Sequence, residues 1–191
     1  ALTALTLAAL SSNASAVEAD GYVLDYERIH CKAIDPVYDD ADPEGNGGDL
    51  MALYVDQQED GLVFRVGMFM MRSLDGRSDW FRDAGTEIVI FADYRDGGAT
   101  SVPGAPSAAA PLEWDCAVRA GYAERGSFEA ALLTPVGRAI EEEPLSEAVI
   151  EPAIHTIECA IPLPAGFEEA VTTAAGVSRA ADRDVAKAAA D

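Results

Sequence analysis

Residues 50–70 read LMALYVDQQEDGLVFRVGMFM, and the fold is decided there. Leu50 to Asp56 and Leu62 to Met70 are runs of apolar, branched and aromatic residues, separated by Gln57-Gln58-Glu59-Asp60-Gly61 with its Asp-Gly turn dipeptide. The pattern predicts a β-hairpin, because side chains along a strand project alternately to two faces and a glycine admits the turn. A lone hairpin is marginal in water, so further strands must cover its apolar face.

The flanking sequence supplies them. Upstream, Gly21 to Cys31 alternates in a strand-like way, and residues 35–49, DPVYDDADPEGNGGD, form an acidic loop punctuated by Pro and Gly. Downstream, Arg72 to Gly85 is a polar loop or short helix carrying Trp80 and Phe81. Thr86 to Asp93, TEIVIFAD, is a strand with a continuous apolar centre. Residues 99–111, ATSVPGAPSAAAP, read as a mobile loop, and Trp114 to Tyr122 with Ser127 to Leu133 as a second hairpin. Glu141 to Glu143 is a solvated connection, and Ile150 to Ile161 a strand ended by Pro162-Leu163-Pro164. Glu168 to Val177 fits a strand or a short helix equally, and residues 178–191 read as an exposed or frayed tail. About eight short strands and few or short helices predict an all-β, antiparallel β-sandwich with immunoglobulin-like layers.

The chain has 191 residues, enough to bury one core, and 49% of them are apolar, which argues against wholesale disorder. Thirteen basic residues face 34 acids, for a net charge of −21. That field repels nucleic acid and anionic headgroups. The acids are spread over nearly every segment, and the only lysines are Lys32 and Lys187. A salt-rich habitat and a coding bias toward Ala and Arg both account for this surface.

Residues 1–16, ALTALTLAALSSNASA, resemble a secretory signal with an Ala-Ser-Ala cleavage site, which predicts a cut after Ala16, a domain over 17–185 and a tail over 186–191. An Ala-rich tail is the alternative. The expectation is a secreted or extracytoplasmic protein with no membrane-spanning segment. Cys31, Cys116 and Cys159 permit one disulfide, for which Cys116 and Cys159 are the favoured pair, or else three buried thiols.

The stretch from Asp42 to Phe69, DPEGNGGDLMALYVDQQEDGLVFRVGMF, resembles the opening hairpin of DOMON-like sandwiches related to family 9 carbohydrate-binding modules. There an acid- and glycine-rich loop leads into a strand, a turn and a second strand, here ending Leu62-Val63-Phe64-Arg65-Val66. Glu87 to Gly98, EIVIFADYRDGG, is similar to the family's next strand and corner, and Trp114-Asp115 to a strand start beyond it. The resemblance implies a non-catalytic binding or accessory role, with a carbohydrate or cell-surface glycan as partner and an enzyme domain tethered nearby. Haem-binding electron transfer, or a structural domain without a small ligand, are the alternatives it admits.

Candidate residues follow from chemistry. Trp80, Tyr94 and Trp114 offer rings for stacking on a sugar, with Asp115 as a hydroxyl acceptor, although core packing suits the same rings. Asp40, Asp42 and Glu44 precede Gly45 at calcium-loop spacing, and Asn46 and Asp49 extend the oxygen set, while Met51 stands where an EF-hand places its glutamate. A calcium cage and a solvated acidic loop are the two readings. Met68, Met70, Met71 and His155 are residue types that ligate haem, and thioether packing is the plainer use. No Gly-x-Ser-x-Gly elbow or phosphate-cradling glycine loop occurs, so the expectation is a protein that is not an enzyme.

Overall fold

The computed structural model describes residues 31–34, 49–58, 61–69, 71, 77–83, 85–103, 105–123, 126–163, 167, 172–179 and 185–188. They form an all-β, antiparallel sandwich-like fold. The first sheet contains β1 (Cys31–Ile34), β2 (Leu50–Gln57), β3 (Gly61–Met68), β10 (Ala148–Glu151) and β11 (Thr156–Pro162), in the order β1-β2-β3-β11-β10. The second contains β4 (Thr86–Asp93), β7 (Cys116–Tyr122), β8 (Phe128–Val136), β9 (Ala139–Pro144), β12 (Thr172–Arg179) and β13 (Val185–Ala188), ordered β13-β12-β4-β7-β8-β9. A two-stranded ribbon pairs β5 (Ala99–Val102) with β6 (Ala105–Trp114). The one described helix, α1 (Trp80–Asp83), is a single turn, and among the described residues no helix is long and apolar enough to cross a membrane.

The predicted opening hairpin is β2 and β3, paired Val55 to Phe64 and Leu53 to Val66. Leu53, Val55, Leu62, Phe64 and Val66 turn inward and meet Ile88, Ile90, Val118 and Ile157 in the main core. Burying each large side chain stabilises the fold by about 1.5–3 kcal/mol. The continuous apolar run of β4 is explained by its two covered faces. Ile88 and Ile90 face the five-stranded sheet, whereas Val89 and Phe91 face a second core with Val102, Trp114, Ala117 and Leu133 beneath the ribbon.

That second core corrects the expectation of a mobile loop at 99–111. Val102 is buried and Leu112 partly so against the outer face of the larger sheet, which holds the ribbon despite Pro106 and Pro111. A ribbon strand has a neighbour on one side only, so a missing N–H on the other leaves no ladder bond unmade. Gly98 makes the approach feasible, since a Cβ there would lie 2.5 Å from the Trp114 carbonyl oxygen.

Three further segments differ from the sequence reading. Glu141 to Glu143 lie within edge strand β9, which is exposed throughout and pairs with β8; charge on an edge discourages pairing with another copy. Ile150 to Ile161 is two strands, β10 and β11, joined by a turn at 152–155. Pro152 lacks a ladder donor, the Ala153 N–H donates to Glu151 Oε1 at 3.0 Å, and His155 adopts a left-handed φ of 58°. Finally, β12 is a strand against β4, and the expected tail contributes β13. Backbone groups along β4 need a partner on that side, a requirement that outweighs the weak propensity of an Ala-rich segment. The strand read over Gly21 to Cys31 lies outside the described residues up to Cys31, as do residues 1–16 and the acidic loop at 35–48.

Candidate functional site

A groove of ≈ 360 Å³ opens where the chain leaves the larger sheet after β9 and enters the smaller one as β10. At Leu145, whose N–H donates to the Ala130 carbonyl, β9 ceases to pair and the end of β8 becomes accessible. Two cross-strand rows shape the groove. Glu87, Gly121 and Glu129 are direct neighbours across β4, β7 and β8, and Arg119, Ala131 and Pro144 form the adjoining row across β7, β8 and β9. Gly121 and Ala131 are the small residues of these rows, the first beneath the Glu87 side chain and the second between Arg119 and Pro144. A Cβ at position 121 would meet Glu87 Cγ and the Thr86 carbonyl oxygen at 2.9 Å.

The walls carry chemistry. Arg119 is ion-paired with Glu142 of β9, and the Ser127 hydroxyl donates to Glu129 Oε1 at 2.9 Å. Both interactions are at the surface and contribute little stability. At one end stand Tyr122 and Phe128, paired across the strands with ring centroids 5.8 Å apart, and Phe81 backs Tyr122 at 6.1 Å. Carboxylates accept hydroxyl hydrogens, the guanidinium donates, and the rings offer apolar edges: together a set suited to a small polar ligand bearing C–H faces.

The residues singled out from sequence lie elsewhere. Trp114 is fully buried, its indole N–H donating to the Ser101 carbonyl at 2.9 Å and its ring 5.9 Å from Phe91. Tyr94 is 8% exposed and packs on Phe167. Asp115 is wholly buried; one carboxylate oxygen accepts the backbone N–H groups of Tyr94 and Arg95 at 2.9 and 3.0 Å, and the other accepts Arg95 Nε at 2.8 Å. The structure thus brings Tyr94, Trp114 and Asp115 together as a buried corner tying β4 to β7, and presents neither ring to solvent as a stacking platform. The reason is that Trp114 fills the second core beneath the ribbon and Tyr94 packs into the main core between the sheets. Trp80 opens α1, and its side chain is outside the described set.

Electrostatics at that corner follow from burial. Desolvation, then the charge of Asp115, raises the Asp93 carboxyl above its ordinary value. Desolvation likewise raises the Tyr94 phenol. The hydrogen bond to Asp115 raises the Arg95 guanidinium further.

Of the calcium set, Asp49 is buried, whereas Asp40, Asp42, Glu44 and Asn46 lie outside the described residues. Among the described residues no three acidic, His or Cys side chains converge as a metal site. Met68 and Met71 are core residues and His155 Nδ1 accepts the Met71 N–H at 3.0 Å; Met70 is outside the described residues. Cys116 and Cys159 are free thiols, which decides between the two readings against the Cys116–Cys159 bridge. Both are in the main core, where burial pushes each thiol up to about 12. Cys31 is only partly buried.

Sequence reasoning did not find the groove. The hairpin turn alone sets Gly121 opposite Glu129, but the placement of Glu87 beside them needs the order β4-β7-β8. In comparisons with known proteins, no family model, no curated protein and no solved structure matches this chain.

Proposed function

We propose that this chain is a secreted, non-catalytic carbohydrate-binding module of DOMON-like type, which takes its ligand in the corner groove and holds an associated enzyme near a glycan. The carrying observation is one hollow lined by the Arg119–Glu142 pair, Glu87 and Glu129 from the outer face of the larger sheet and, where β9 ends, by Tyr122 and Phe128, whose rings pack on the main core from the inner face. Sugars need both components, because hydroxyls must be hydrogen-bonded where they are desolvated and C–H faces gain from apolar contact. The antiparallel sandwich is compatible with the family resemblance, and the acid-rich loop before β2 supports a structural calcium at Asp40, Asp42, Glu44, Asn46 and Asp49 as part of the same reading.

Binding at such a hollow is modest by itself, and its effect is to raise the effective concentration of a tethered partner. The test is a glycan array followed by titration calorimetry of the folded chain. The expected result is retention of a subset of glycans, weakened at least tenfold by Arg119→Ala or by Glu129→Gln. Folded protein that retains no glycan would defeat the proposal.

A further inference from the structure

We propose that His155 is a pH-sensitive latch: its neutral imidazole anchors the chain where it leaves β3 and, through it, α1, and protonation as the pH falls from about 7 to about 5 releases both. The turn at 152–155 aims that ring. Glu151 Oε1 accepts the Ala153 N–H at 3.0 Å, the Glu151 carbonyl accepts the Ile154 N–H at 3.2 Å, and the His155 carbonyl accepts the Met68 N–H at 2.8 Å. Among the described residues His155 is the one non-glycine in the left-handed region, at a φ of 58°, a conformation that His and Asn enter more readily than most side chains. With its backbone so held, its Nδ1 accepts the Met71 N–H at 3.0 Å.

An imidazole nitrogen accepts only while it carries no hydrogen, and in the charged ring both nitrogens donate. Protonation therefore turns Nδ1 into a donor facing the Met71 N–H, and the bond is lost. Met71 is fully buried, so its amide stays unsatisfied unless this stretch opens to water. The opening has a route. The Met71 carbonyl accepts the Phe81 N–H of α1 at 3.2 Å, and Phe81, also fully buried, packs its ring 6.1 Å from Tyr122 at the aromatic end of the groove. His155 is half-buried, which lets a proton reach the ring. Among the described residues, the charged side chains on the elements around the turn are Glu151 and Glu158 on its own hairpin, Arg65 on β3, Asp49 before β2, and Asp79, Arg82 and Asp83 at α1. Arg65 and Glu158 project to the outer face of their sheet, and Arg82 pairs with Asp83. The anchoring is thus complete at neutral pH and above, where the ring is uncharged, and is lost on acidification. It acts whatever the groove binds.

The experiment follows amide hydrogen exchange of the full chain by NMR between about pH 5.5 and about pH 7.5, each rate taken relative to its intrinsic value at that pH. Wild type should lose about tenfold or more of its protection at Met71 and Phe81 on acidification, while Leu53 and Val66 in the β2–β3 hairpin keep theirs. His155→Asn should hold the protection at Met71 constant, because the amide oxygen accepts the same N–H, asparagine tolerates the left-handed backbone and the side chain does not titrate. At the upper pH the ring nitrogen shifts of wild type should report a hydrogen on Nε2 and none on Nδ1. Both wild-type readings stand without the variant. A hydrogen on Nδ1 at that pH overturns the latch, as does Met71 protection that is equal at the two ends of the range. A fall that persists in His155→Asn also overturns it, since His30, the other histidine, or the carboxylates then carry the titration. Loss shared equally by Leu53 and Val66 overturns it too, because acid then loosens the whole fold.

Discussion

Asp115 should be the most sensitive polar position outside the groove. It is wholly buried, and its carboxylate accepts the N–H groups of Tyr94 and Arg95 where β4 turns away. Asp115→Ala strands two backbone donors, at about 1–1.5 kcal/mol each. Arg95 is also released, but its side chain is 50% exposed, so solvent screening limits that pairing to about 0.5–1 kcal/mol. The sum predicts a loss of about 2.5–4 kcal/mol. Asp115→Asn keeps an amide oxygen for the two backbone donors and should lose about 1 kcal/mol, and Arg95→Ala no more than about 1 kcal/mol, through the Arg95 term alone. Equilibrium urea denaturation at neutral pH reads these differences as midpoint shifts at constant slope. In thermal unfolding the alanine variant should fall by roughly 5–16 °C. An Asp115→Ala protein within 0.5 kcal/mol of wild type, or an Arg95→Ala loss as large, would refute the claim that the carboxylate acts chiefly through the backbone.

Alkaline stability should depend on Cys116 and Cys159. Their folded-state values near 12 lie above the ordinary 9.0, so their contribution is complete below about pH 9 and is lost as pH rises toward 12. The slope is about 1.4 kcal/mol per pH unit for each thiol; Cys159→Ala should flatten the stability profile by that amount, and unchanged slopes between pH 9 and 11 would contradict the assignment. Salt should stabilise the fold, since 34 acids against 13 bases repel one another and the screening length falls from about 10 Å at 0.1 M to about 3 Å at 1 M. A melting temperature that stays flat or declines over that range would show that surface repulsion is not a major term. Trp114→Ala should cost about 3–5 kcal/mol and loosen the ribbon first, because the indole bonds Ser101 of β5. Hydrogen exchange should then quicken over Ala99–Val102 while β2 and β3 stay protected; uniform loss of protection would mean the two cores do not separate.

The sequence by itself determined the elements whose signals are local. The β2–β3 hairpin is written in two apolar runs and an Asp-Gly turn, and β4 in an uninterrupted apolar centre with covered faces on both sides. The β7–β8 hairpin was equally legible, apart from its first two residues, since Trp114 ends β6 and Asp115 stands between the strands. Only tertiary structure decided which partners those strands found. Residues 99–111 and the Ala-rich end carry little periodicity, yet the ribbon covers Phe91 and β12 completes the hydrogen bonds of β4. The groove is a more extreme case. Its carboxylates come from β4, β8 and β9 and its floor from a glycine on β7, and side chains so far apart along the chain become neighbours only through strand order and register. Trp114 shows the converse. An aromatic residue suits a binding face or a core equally well by its chemistry, and the choice belonged to the layer that folded over it.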